Sequence, residues 1–168
     1  ASGMTLVPPE RREPLLASTY GTGQLIAQAL RDGARDIIVT LGGSATNDGG
    51  IGCMKALGAR FFDREGQELE ALPRNLGRIA RIDRGGMDPL VSEARFRIMS
   101  DVKSPLLGPE GATQVFGPQK GADAERRQIL EVGMTAYAAV LEEETGRSVR
   151  NLPGAGAAGG LGAALVAF

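Results

Sequence analysis

Asp36-Ile-Ile-Val-Thr-Leu41 runs directly into Gly42-Gly-Ser-Ala-Thr-Asn-Asp-Gly-Gly50. The first six residues form a short β-branched apolar run, which suits a buried strand. The next nine set four glycines around Ser44, Thr46, Asn47 and Asp48. An apolar segment through Leu57 follows and reads as a helix. Strand, glycine-rich loop and helix in succession are the grammar of an α/β fold.

The same grammar extends outward. Residues 19–32 predict a helix, with Leu25, Ile26, Ala29 and Leu30 on one stripe and Gly33 as its stop. Ala59–Asp63 reads as a strand turning at Arg64-Glu-Gly66. Residues 72–95 read as short helical pieces broken by Gly85, Gly86 and Pro89. Phe96–Asp101 is a further strand that ends on an acid. In residues 123–145 Leu130, Met134, Tyr137 and Leu141 step by four, three and four, the pattern of a long amphipathic helix ended by Gly146. A glycine-rich loop then enters a last apolar helix. The expected architecture is one α/β domain over residues 1–168, layered α/β/α with a mostly parallel or mixed sheet.

Composition narrows the chemistry. Nineteen basic against twenty acidic residues leave a net charge of −1, without the basic excess that nucleic-acid phosphates require. No apolar run is long enough to span a bilayer. The chain has no His, which removes Ser–His and Cys–His nucleophile pairs and His metal ligands. Cys53 is the single cysteine, so no internal disulfide or thiolate zinc cage can form. A metal would have to be a hard ion on oxygen ligands, which points to Mg2+. The start at Ala1 and the uncharged run Leu161–Phe168 carry none of the usual end signals. The expectation is a piece of a longer protein, with the exposed face of residues 161–168 open to a second copy of the chain. The other reading is a natural end docked in the core.

Four loops carry candidate chemistry. Gly42, Gly43, Ser44, Thr46 and Asn47 offer amides and polar side chains to an anion, whereas Asp48 would repel a phosphate unless a metal or hydroxyl lay between. The same residues also suit a capped turn. Gly154-Ala-Gly-Ala-Ala-Gly159 matches GxGxxG. It reads as a dinucleotide loop, as an anion nest through Gly154, Gly156 and Gly159, or as small-residue helix packing. Lys120 sits between Gly117 and Gly121 in Phe116-Gly-Pro-Gln-Lys-Gly121, where it could reach a phosphate or lie solvated in a turn. The spacing fits no Walker A motif. Asp101, at a strand end, could hold Mg2+, accept a hydroxyl proton, or cap the turn before Pro105.

Taken in order, Tyr20-Gly-Thr-Gly-Gln-Leu-Ile26, Gly42–Gly50, Ser100-Asp-Val with Pro105-Leu-Leu-Gly108, Phe116–Ala122 and Pro153–Gly160 resemble the bacterial type I glycerate kinase family. The resemblance runs from end to end of the chain and departs at Ser100 and Ser104, where the family pattern has Cys and Asn. It implies ATP- and Mg2+-dependent phosphorylation of D-glycerate to a phosphoglycerate, in the cytoplasm. It also implies that this chain is the middle, inserted domain of a longer two-domain enzyme and forms one side of the active-site cleft. The catalytic candidates are then Asp48, Asp101 and Lys120, with Asp101 the ligand for Mg2+. The binding candidates are Gly42, Gly43, Ser44, Thr46, Asn47, Gln119, Gly154, Gly156 and Gly159. The expected partners are D-glycerate, the remaining segments of the same polypeptide, and a second copy, with neither nucleic acid nor membrane. A stand-alone, non-catalytic anion- or nucleotide-binding module is the competing reading.

Overall fold

The computed structural model describes residues 1–168. In chain order the elements are α1 (Tyr20–Arg31), β1 (Asp36–Thr40), α2 (Ile51–Ala56), β2 (Arg60–Phe62), β3 (Arg81–Asp83), α3 (Leu90–Glu93), β4 (Arg95–Met99), α4 (Ala112–Phe116), α5 (Ala124–Thr145) and α6 (Ala157–Ala167). Short 3-10 turns lie at Met4–Leu6, Pro9–Arg11, Pro73–Arg78 and Pro118–Lys120.

Local sequence accounts for most of these elements. Asp123 caps α5 by accepting the Arg126 amide at 2.8 Å, and Gly146 closes it in the left-handed conformation. One face of α5 buries Leu130, Met134, Tyr137 and Leu141, the four residues that carry its periodicity. α1 buries Gly23, Ile26, Ala27 and Leu30. Met134, Tyr137 and Leu141 of α5 and Ile26, Ala27 and Leu30 of α1 join Ile51, Met54, Phe61, Leu76, Leu106 and Leu161 in one continuous core. Burying each large aliphatic side chain stabilises the fold by about 1.5–3 kcal/mol.

The mixed α/β class is as expected, built from two small sheets. β1 and β4 pair in parallel, Asp36 opposite Arg95 and Thr40 opposite Met99. β2 and β3 pair antiparallel, Arg60 opposite Asp83. β3 lies where only short helical pieces are expected from sequence. Its three residues are too few to show a period, and only the pairing with β2 makes them a strand. α4 and the 3-10 turn that follows it also escaped the sequence reading, because Gly117 and Pro118 mask the helical pattern.

Two further expectations are corrected. β1 is not buried on both faces. Ile37 and Val39 turn toward the core, whereas Ile38 is 49% exposed. The last helix is largely covered rather than open, with Leu165, Val166 and Phe168 partly buried. Leu161, Ala163, Ala164 and Ala167 are buried, because α6 packs against α2, α4 and α5.

Candidate functional site

The parallel pair sets the geometry of the site. The Leu41 amide still donates to the Met99 carbonyl at 2.8 Å, so the chain leaves β1 level with the end of β4. An open cleft of about 610 Å³ lies across these carboxyl ends, lined by Thr40–Gly42 and Ile98–Asp101. Ligands in open α/β sheets bind at such strand ends. Beside it, a smaller cavity of about 180 Å³ brings together Gly42, Gly43, Ser44, Asp101, Gln119 and Lys120. Six sequence-predicted residues from three separate segments therefore converge. A groove of about 430 Å³ beside α1 and β1 is lined mainly by aliphatic residues and by no charged side chain, so it offers no comparable chemistry.

Lys120 forms the floor of the cavity. It closes the 3-10 turn Pro118–Lys120, where Gly121 takes φ of 91°, and it is only 2% exposed. Its ammonium donates to Ser44 Oγ at 3.0 Å and to the Thr46 carbonyl at 2.6 Å. No carboxylate of the chain forms an ion pair with it. Burial pushes its pKa down to about 8, against the opposing pull of the Asp48 charge. The amides of Gly42, Gly43 and Ser44 donate to no group of the chain. The cavity is thus rich in hydrogen-bond donors, with Asp101 exposed at its mouth.

Asp48 has a different place from the one expected of a catalytic acid. It is fully buried and does not line the cavity. Its oxygens accept from Thr19 N and Thr19 Oγ1, both at 2.8 Å, from Gly50 N at 3.0 Å and from Gly52 N at 3.2 Å. Burial pushes its carboxyl up and the four donors pull it down, with burial the larger effect. A group with no access to ligand cannot exchange a proton with it. Asp48 positions the loop. Asn47 is also buried, with Nδ2 donating to Thr113 Oγ1 at 2.9 Å, and Thr46 contributes its carbonyl to Lys120.

Gly156 and Gly159 of the Gly154–Gly159 segment form no anion nest, because their amides are spent within the chain. The amides of Gly156, Ala157 and Gly159 donate to Ser104 O, Gly154 O and Gly156 O at 3.0, 2.9 and 3.2 Å. Turns, not a strand, precede it, which removes the dinucleotide reading. Its glycines serve close packing. Gly159, at φ 68°, lies against the Thr46–Asn47 backbone where a Cβ would collide. Its carbonyl accepts the Gly49 amide at 2.9 Å.

Several site residues were invisible to sequence reasoning. Thr19 and Thr113 anchor the loop across 29 and 66 residues, and no local pattern marks such partners. Ala158 lines the cavity and is the only non-glycine residue with positive φ, at 52°. Its amide too donates to no group of the chain. Burial pushes the lone Cys53 thiol up to about 12, which leaves it unreactive.

Residues 1–168 match the family model described as the glycerate kinase family. This chain belongs to the glycerate kinase family. It is 47% identical over 168 residues to a glycerate kinase of Halalkalibacterium halodurans and 47% identical over 168 residues to a glycerate 2-kinase of Escherichia coli. In each case the match covers 100% of this chain and 44% of the relative. The fold also superimposes on the crystal structure of a protein assigned as glycerate kinase 2 from Salmonella typhimurium LT2. The TM-score is 0.96 at 46% identity, over 100% of this chain and 45% of that one. The chain thus spans less than half the length of the kinases it matches. No helix is long and apolar enough to cross a membrane.

Proposed function

We propose that this chain forms one side of the active-site cleft of a glycerate kinase that transfers a phosphoryl group from ATP, with Mg2+, to a hydroxyl of D-glycerate. The observation that carries this reading is the donor-lined cavity over Lys120 with Asp101 at its mouth. Phosphoryl transfer is chiefly positioning and electrostatic stabilisation. It needs no His and no reactive Cys, and this chain has neither.

In this reading Lys120 and the amides of Gly42–Ser44 bind anionic oxygen and fix its orientation. Asp101 is the only carboxylate lining the cavity, and its exposed oxygens are free to accept a proton from the acceptor hydroxyl. The Asp48 network and the Asn47–Thr113 bond hold the loop so that its amides keep their aim. No three His, Cys, Asp or Glu side chains cluster as a cation cage. Mg2+ is commonly held by one or two carboxylates with phosphate oxygens and waters completing its shell, so Asp101 fits a nucleotide-borne ion. When bound, that ion supplies charge neutralisation on the phosphates.

The full-length protein, assayed for ADP release with D-glycerate, tests the reading. Asp101→Asn should cut kcat by about 100-fold or more, the typical contribution of a positioned acid–base group. Unchanged turnover in this variant would remove Asp101 from the chemistry.

A further inference from the structure

We infer that the cavity of about 180 Å³ over Lys120 is the subsite for the carboxylate of the acid, and not a phosphate subsite of the nucleotide. This rests on the kinase reading and deepens it. The first argument is charge. Lys120 is buried with no carboxylate in ion-pair contact, and only the more distant Asp48 charge acts on it. A buried cation is costly unless an anion and hydrogen bonds compensate it. A ligand can supply the missing charge. The cavity holds one cation and no second Lys or Arg. One cation balances one carboxylate, whereas a triphosphate carries several charges.

Donor geometry gives the second argument. Two of the three ammonium protons of Lys120 go to Ser44 Oγ and Thr46 O, which leaves one for a ligand. Because Ser44 Oγ accepts from Lys120, its own proton is free to donate. With the three unspent amides of Gly42, Gly43 and Ser44, the floor presents donors suited to two carboxylate oxygens. Size is the third argument. Drug-sized ligands occupy pockets of about 300–1,000 Å³, so this cavity suits a small acid better than a nucleotide. With the carboxylate on the floor, the hydroxyl end of a three-carbon acid points toward Asp101 at the mouth.

Equilibrium binding to the full-length protein tests the assignment, with D-glycerate, glycerol and Mg·ATP as separate probes. Lys120→Met should raise the Kd for D-glycerate by about 10- to 100-fold, the range of a charge-assisted hydrogen bond. The Kd for Mg·ATP should stay within about twofold. Glycerol, lacking the carboxylate, should bind wild type and variant equally weakly. Ser44→Ala, which leaves the buried amine in place, should weaken D-glycerate by a smaller factor and serves if Lys120→Met does not fold. Loss of Mg·ATP affinity with D-glycerate binding intact, in either variant, overturns the subsite. A wild-type protein that binds D-glycerate through Lys120 but shows no ATP-dependent turnover upholds the subsite and overturns the kinase reading.

Discussion

Thr19 and Asp48 are joined twice through a single carboxylate oxygen: the amide and the hydroxyl of Thr19 both reach Asp48 Oδ2 at 2.8 Å. The same hydroxyl accepts the Cys53 amide at 2.9 Å. One buried threonine thus ties the start of α1 and the first turn of α2 to the glycine-rich loop. The charge at Asp48 is an architectural group that holds the donors of the cavity in place.

Removing either member should therefore cost stability as well as activity. Thr19→Val removes one of the four donors to Asp48 and leaves the Cys53 amide without its acceptor, and a loss of about 1–3 kcal/mol is expected. Asp48→Ala orphans four donors at once and should cost about 3 kcal/mol or more. Because both act on one network, the double variant should lose less than the sum. Urea denaturation of the chain measures all three. Asp48→Ala with wild-type stability would show that the network carries no weight.

Lys120 predicts an unusual pH response. Its folded pKa is about 8 against an ordinary 10.5. Between these values the unfolded chain keeps a proton that the native chain has released. Stability should therefore rise from about pH 8 toward pH 10.5 in the contribution of this residue. Affinity for D-glycerate should move the opposite way, falling above about pH 8 as the free enzyme loses the charge. Urea midpoints and glycerate titrations across that window check both senses. Lys120→Met should flatten the two profiles.

Tyr137 and Gly49 make a contrasting pair. The Tyr137 hydroxyl is buried without a partner, so Tyr137→Phe should be neutral or slightly stabilising. Gly49 lies at φ 61°, and a Cβ there would meet Tyr137 Cε1 at 2.7 Å. Gly49→Ala combines a left-handed backbone with overpacking and should cost about 2–4 kcal/mol. Thermal melts of both variants compare the effects directly.

The 168-residue chain alone should fold cooperatively yet show no kinase turnover. Its core is continuous across α1, α2, α5 and α6. In-line transfer, however, needs donor and acceptor held at near-attack distance with water excluded. The cleft beside Asp101 is open at Met99, which is 57% exposed. Turnover in a coupled assay at about 1–100 per second would place the whole site within these residues.

Local chemistry in the sequence determined α1, α5 and the strand–loop–helix unit at residues 36–57, because periodicity, caps and glycine stops act within a few residues. It also marked Gly42–Ser44, Asp101, Gln119 and Lys120 as candidates. It could not rank them, since an acid in a glycine-rich loop looks the same whether it faces solvent or core. Tertiary packing made that distinction. It buried Asp48 under donors from Thr19, Gly50 and Gly52, and spent Gly156 and Gly159 on backbone contact. It carried Lys120 across 76 residues to Ser44. Burial and hydrogen-bond partners at that separation are properties of the folded arrangement, because they depend on which distant segments meet and not on any spacing along the chain.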